Sequence, residues 1–145
     1  MAASNPVAQS AQVSPHAAMI YAMILISAVD RKMPDSELRR IGQIVQQWPV
    51  FLDYDPEELT TTSRECAVLL QTNDGLERVL ALISASVPQH LRETAYLLAC
   101  DVAAVDGSVP FLESRLLARL RHALGVDHLV AAALERAISA RHARI

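Results

Sequence analysis

The stretch Ala28-Val29-Asp30-Arg31-Lys32-Met33-Pro34-Asp35-Ser36-Glu37 stands where a very apolar segment gives way to an amphipathic one. A second stretch, Ala104-Val105-Asp106-Gly107-Ser108-Val109-Pro110-Phe111-Leu112-Glu113, occupies the same kind of junction. The shared pattern is A-V-D-x-x-[MV]-P-x-x-E. The match runs on, with Arg39 against Arg115, Ile41 against Leu117 and Ile44 against Leu120 at the same offset. An element repeated at a fixed offset points to a duplicated helix–turn–helix. In each copy an Asp opens the turn, an apolar residue can pack back as a staple, a proline sets the next helix, and a Glu falls in its first turn.

Outward from these junctions the period is helical. The run Ala17 to Val29 is apolar except for Ser27. It is too short to span a bilayer, which takes about 20 residues, and the basic flank of a signal peptide does not precede it. It therefore predicts a helix buried on nearly all sides, from about Pro15 with Ser14 as cap. The second helix begins at about Pro34, turns Leu38, Ile41, Ile44, Val45 and Trp48 inward, and keeps Arg39, Arg40, Gln43 and Gln47 mostly on the other side. Pro49 ends it.

Five more helices follow on the same criteria. Asp55-Pro56-Glu57-Glu58 opens the third, which buries Leu59, Cys66, Leu69 and Leu70; its Thr60-Thr61-Thr62-Ser63 run is expected on the solvated face. The fourth is capped by Asn73 or Asp74, buries Leu76, Val79, Leu80 and Ile83, and stops before Pro88. The fifth covers about Gln89 to Val105. The sixth runs from Pro110 to Gly125, a residue that suits a helix end. The seventh, capped by Asp127, turns Leu129, Val130, Ala133, Leu134 and Ile138 inward. No segment alternates with the period of two that a half-buried strand needs. The expectation is an all-α, compact array of about seven helices: residues 15–145 as one domain behind a flexible N-terminal tail, residues 1–14.

Composition agrees. The chain has 145 residues, 52% of them hydrophobic but only 4% aromatic. Its core must then be aliphatic, and Ala and Leu favour helix. Net charge is −3 and no basic stripe suits a phosphate backbone, so nucleic-acid binding is not expected. The one basic cluster, Arg136, Arg141, His142 and Arg144, matches the dipole at a helix C-terminus. Cys66 and Cys100 lie in apolar stretches without metal-ligand spacing and read as buried hydrophobes. The five histidines form no metal pair. There is no nucleophile elbow or phosphate loop, so no enzyme is expected.

The acidic junctions carry two readings. In one, the loop Asp bonds to free helix N–H groups and the Glu complements the dipole. In the other, Asp30 with Glu37, and Asp106 with Glu113, hold a divalent cation through oxygen, which favours Ca²⁺, Mg²⁺ or Mn²⁺ over Zn²⁺. The loops are too short for an EF-hand. The copies differ: Arg31 and Lys32 oppose a cation in the first, whereas Gly107 and Ser108 permit close backbone approach in the second. Asp101 lies upstream on an apolar helix and needs a partner, either the metal or an arginine such as Arg92 or Arg115.

These paired loops, the seven-helix layout and the ending Leu124-Gly125-Val126-Asp127 resemble the TerB-like tellurite-resistance proteins of bacteria. Arg92-Glu93-Thr94-Ala95-Tyr96 and Asp127-His128-Leu129-Val130-Ala131-Ala132-Ala133 are similar to segments of that family. The resemblance covers roughly Pro15 to His142. It implies a cytoplasmic protein of tellurite and chemical-stress response. It implies divalent-cation binding at Asp30, Glu37, Asp106 and Glu113, and work within larger, often membrane-associated, protein assemblies without insertion into the bilayer. The family's loops typically read Asp-Gly; the first here reads Asp-Arg. The competing expectation is a metal-free interaction module with an exposed apolar patch near Val50, Phe51 and Tyr54.

Overall fold

In the computed structural model, residues 12–28, 35–104 and 111–145 are described. Among them are seven α-helices and no strand: α1 (Pro15–Ser27), α2 (Asp35–Gln47), α3 (Leu59–Leu70), α4 (Gly75–Ser86), α5 (Arg92–Ala103), α6 (Phe111–Leu124) and α7 (His128–Arg141). Short 3-10 turns cover Pro49–Phe51, Pro56–Glu58 and Gln89–Leu91. The helix ends Ser27 and Ala103, and the helix starts Asp35 and Phe111, stand at the same offset as the sequence repeat.

The centre is α1. Every residue from Ala18 to Ser27 is buried, and the helix packs against α5, α3 and α4 as well as α6 and α2. A helix enclosed on all sides has no use for a polar face, which is why its sequence lacks one. Its one polar core residue, Ser27, donates its hydroxyl to Met23 O at 3.1 Å, so burial leaves no orphan. Ser14 caps the other end, accepting from Ala17 N at 3.1 Å. Just before it, Val13 N donates to Ser86 Oγ at 2.9 Å, which docks the entering chain on the end of α4. The second central helix is α5, buried at Ala95, Tyr96 and Leu98 through Ala103.

Around these two, the amphipathic helices turn one stripe inward, and two stripes are rotated from expectation. On α2 the inward set is Glu37, Ile41, Ile44 and Val45; Leu38 is 41% exposed. A carboxylate thus holds the first core-facing position and the leucine beside it faces out. On α7 only Ala131 and Ile138 are fully buried. Leu129 is 82% exposed and Ala133 lies at the surface. That helix packs chiefly against α5, and one neighbour covers only a narrow face.

The α6–α7 corner follows from local chemistry. Gly125 takes φ +68°, a left-handed conformation that costs other residues energy. Asp127 then caps α7, accepting from Leu129 N at 3.0 Å. Arg92 clamps the corner, donating to Leu124 O at 2.8 Å and to Ser84 O at 2.9 Å. At the start of α4, Asp74 stands in the cap position with φ 56° but makes no side-chain cap.

The connector after α2 is only partly exposed: Leu52 is 81% exposed, but the aromatic residues pack inward. Phe51 is buried, with Val50 and Tyr54 packed partly against the core. The ring of His16 lies 5.9 Å from that of Phe51 and 5.4 Å from that of Tyr54, and its Nε2–H donates to Val50 O at 3.0 Å. Tyr54 Oη bonds Thr62 Oγ1 at 2.8 Å. Thr62 is therefore buried, unlike Thr60 and Thr61 beside it. The aromatic residues serve the connector's own packing, which is why Phe51 is buried rather than exposed.

Candidate functional site

The acidic residues singled out from the sequence fall into three situations. Asp30 and Asp106, with Arg31, Lys32, Gly107 and Ser108, lie outside the described residues. Glu113 belongs to the first turn of α6, and its side chain also lies outside them. Glu37 and Asp101 are described, and both are buried, at 5% and 0% exposure.

Glu37 sits in the first turn of α2, on the core-facing stripe that continues through Ile41 and Ile44. Asp101 lies near the end of α5, one stripe with Leu98 and Val102. A bare carboxylate at such depth would be neutral or prohibitively costly, so its charge must be answered. Two residues answer it. Arg40 from α2 pairs its guanidinium with Oδ2. His142, the residue that closes α7, places Nε2 2.5 Å from Oδ1. Both carboxylate oxygens are thereby engaged, and one side chain joins α2, α5 and the end of α7.

This is the ion-pair alternative for Asp101, with a different arginine. Arg92 is committed to the carbonyls of Ser84 and Leu124, so it is not the partner; Arg40, expected on the outer face of α2, turns inward to 12% exposure. His142 had read as part of a basic helix end. The one signal available was Asp101 itself, a lone acid on an apolar helix, which demands a cation but does not say which.

Among the described residues no group of three or more His, Cys, Asp or Glu is placed to hold a metal ion. Asp101 makes a poor ligand as it stands, since a cation there would have to displace both Arg40 and His142.

The core's two thiols are held protonated. Burial pushes the Cys66 thiol up to about 12. Burial, with Glu135 nearby, does the same to Cys100, also to about 12. Such thiols are protonated at neutral pH and are poor nucleophiles. Tyr96 is held well above its usual value by burial and by its hydroxyl donating to Glu135 Oε2 at 2.5 Å.

The family described as tellurite resistance protein TerB matches this chain over residues 16–136. The chain belongs to the TerB family. The match spans both acidic junctions and all of the helical array up to the second half of α7. Neither the curated proteins nor the solved structures compared with the chain contain a match. The Asp101 cluster, with both carboxylate oxygens engaged, is by its chemistry a structural tie. No described helix is long and apolar enough to cross a membrane.

Proposed function

We propose that this TerB-family chain is a non-enzymatic tellurite and chemical-stress resistance protein that binds a divalent cation through its acidic inter-helix loops and acts within a larger protein assembly. A cytoplasmic location belongs to the same reading. The observation that carries it is the family match over residues 16–136, which takes in both junctions with their Asp and Glu in the same register. Glu37 adds weight, because a carboxylate on the buried stripe at a helix start is an unusual use of a core position. The donors would be Asp106 and Glu113, with Asp30 and Glu37 assisting. Oxygen donors suit Ca²⁺, Mg²⁺ or Mn²⁺ ahead of Zn²⁺. The second loop is the better holder, because Gly107 and Ser108 bring no charge where the first brings Arg31 and Lys32.

A specific observation favours a second reading. Asp55 and Asp127, two other acids at helix starts, accept from Glu57 N and Leu129 N at 3.0 Å each. Asp74 at the start of α4 does not cap, but these two acids serve as caps. The second reading is a metal-free helical interaction module in which the junction acids do the same.

Thermal melts separate the two. A cation that binds only the folded chain raises stability by about 2.7 kcal/mol at a hundred times its Kd. A rise in melting temperature with Mn²⁺ or Ca²⁺, lost on chelation, supports the cation reading. Melts indifferent to every divalent ion support the module.

A further inference from the structure

Beyond the acidic junctions, a groove of about 440 Å³ opens between the end of α2 and helices α5 and α7. It is lined by Gln47, Trp48, Pro49, Leu97, Ala137, Ile138 and Arg141. It continues the Asp101 tie along the same three helices. Leu97 is one turn before Asp101, Ile138 one turn before His142, and Gln47 two turns after Arg40. Its walls are therefore held at a set distance by an ion-paired cluster, as a preformed site requires.

The lining has a polarity. Trp48, Pro49, Leu97 and Ile138 supply apolar walls. Among the described residues that line it, Arg141 supplies the only formal charge and none is an acid. Among the described residues Arg141 takes part in no ion pair, while its neighbours on the cluster are spent: Arg40 and His142 on Asp101. The nearest upstream acid of α7, Glu135, is engaged by Tyr96. An apolar trough whose lining includes one guanidinium and the Gln47 amide matches a molecule with an apolar body and one anionic end.

We propose that this groove binds an amphipathic carboxylate of acyl-chain type, its chain along Trp48, Leu97 and Ile138 and its carboxylate on Arg141. The site is separate from the proposed cation loops and does not depend on them.

Trp48 is the only tryptophan in the chain, so its emission reports on the groove directly. Decanoate, decanol and decyltrimethylammonium, each below its micelle concentration, are titrated into the full chain and into Arg141→Gln and Arg141→Lys. The expected result is a saturable change in Trp48 emission with decanoate. Affinity falls about tenfold in Arg141→Gln and is largely kept in Arg141→Lys, while decanol responds equally in all three. Arg141 is exposed, so neither substitution threatens the fold. Three results would overturn the proposal. One is no saturable response to decanoate. Another is equal binding of decanoate and decyltrimethylammonium. The last is a sedimentation shift that Arg141→Gln abolishes without any decanoate response, which would give the groove to a second copy of the chain.

Discussion

His142 Nε2 lies 2.5 Å from Asp101 Oδ1, which ties the residue closing α7 to a fully buried carboxylate. Arg40 completes the cluster from α2. Removing the carboxylate leaves a guanidinium at 12% exposure facing an empty space. We expect Asp101→Ala to cost about 3–5 kcal/mol, the range for breaking a buried pair by deleting one partner. His142→Ala leaves the Arg40 pair in place and should cost only about 1–2 kcal/mol. Urea denaturation of the two variants checks the order; equal costs would mean that Asp101 does not carry the tie.

The Arg92 clamp is a second tie of a different kind, a cation satisfying carbonyls at a helix end. Arg92→Ala removes two hydrogen bonds, to Ser84 O and Leu124 O, near the Gly125 corner. The expected loss is about 2–3 kcal/mol. Hydrogen exchange should show it as faster opening at the α6–α7 corner, with α1 amides unchanged.

Two glycines in helices should respond in opposite directions to alanine. At Gly42 an added Cβ meets nothing within 4 Å, so Gly42→Ala gains helix propensity and should stabilise by about 0.5–1 kcal/mol. At Gly75 the Cβ would stand 2.5 Å from Leu69 O and 2.6 Å from Leu70 O. Those are backbone atoms of the preceding helix end and cannot turn aside. Gly75→Ala should cost about 2 kcal/mol. Paired thermal melts decide it.

Alkaline pH should destabilise the chain through its buried thiols. Cys66 and Cys100 ionise at about 12 when folded, against an ordinary value of 9.0. Between those values the unfolded chain has lost protons that the folded one keeps, so stability falls as pH rises. Each thiol contributes a slope of roughly 1.4 kcal/mol per pH unit in that window and none well below 9.0. Cys66→Ala should lessen the slope in urea titrations above pH 9 while costing stability at neutral pH. At neutral pH both native thiols should resist Ellman's reagent until the chain is unfolded.

How far the sequence could be read depends on how local the deciding physics is. Ser14, Gly125 and Asp127 do what their residue types suggest, because a cap or a left-handed turn is settled within a few residues. The run through α1 is legible for another reason: a helix with no polar face has to be central. The stripes of α2 and α7 are harder, since their rotation depends on what covers them. That is how Glu37 came to lie inward of Leu38, and Leu129 outward. Arg40 and His142 were out of reach, because a buried acid announces the need for a cation and leaves its identity to tertiary packing. The aromatic connector differs in the opposite sense: Phe51, Tyr54 and His16 pack on one another, so Phe51 is buried rather than exposed. At the candidate site, sequence carries the argument for Asp30, Asp106 and Glu113, while the structure adds the inward placement of Glu37.

The proposed cation site is the second acidic junction, with the first assisting. Its most direct test is calorimetric titration of Ca²⁺, Mn²⁺, Mg²⁺ and Zn²⁺ into the wild-type chain, the Asp106→Ala/Glu113→Ala variant and the Asp30→Ala/Glu37→Ala variant. Circular dichroism confirms that each stays folded. The expected result is binding heat in the wild type, its loss in the Asp106/Glu113 variant, and weakened binding in the Asp30/Glu37 variant. No heat with any of the four ions, or heat unchanged by the Asp106/Glu113 substitutions, would contradict it.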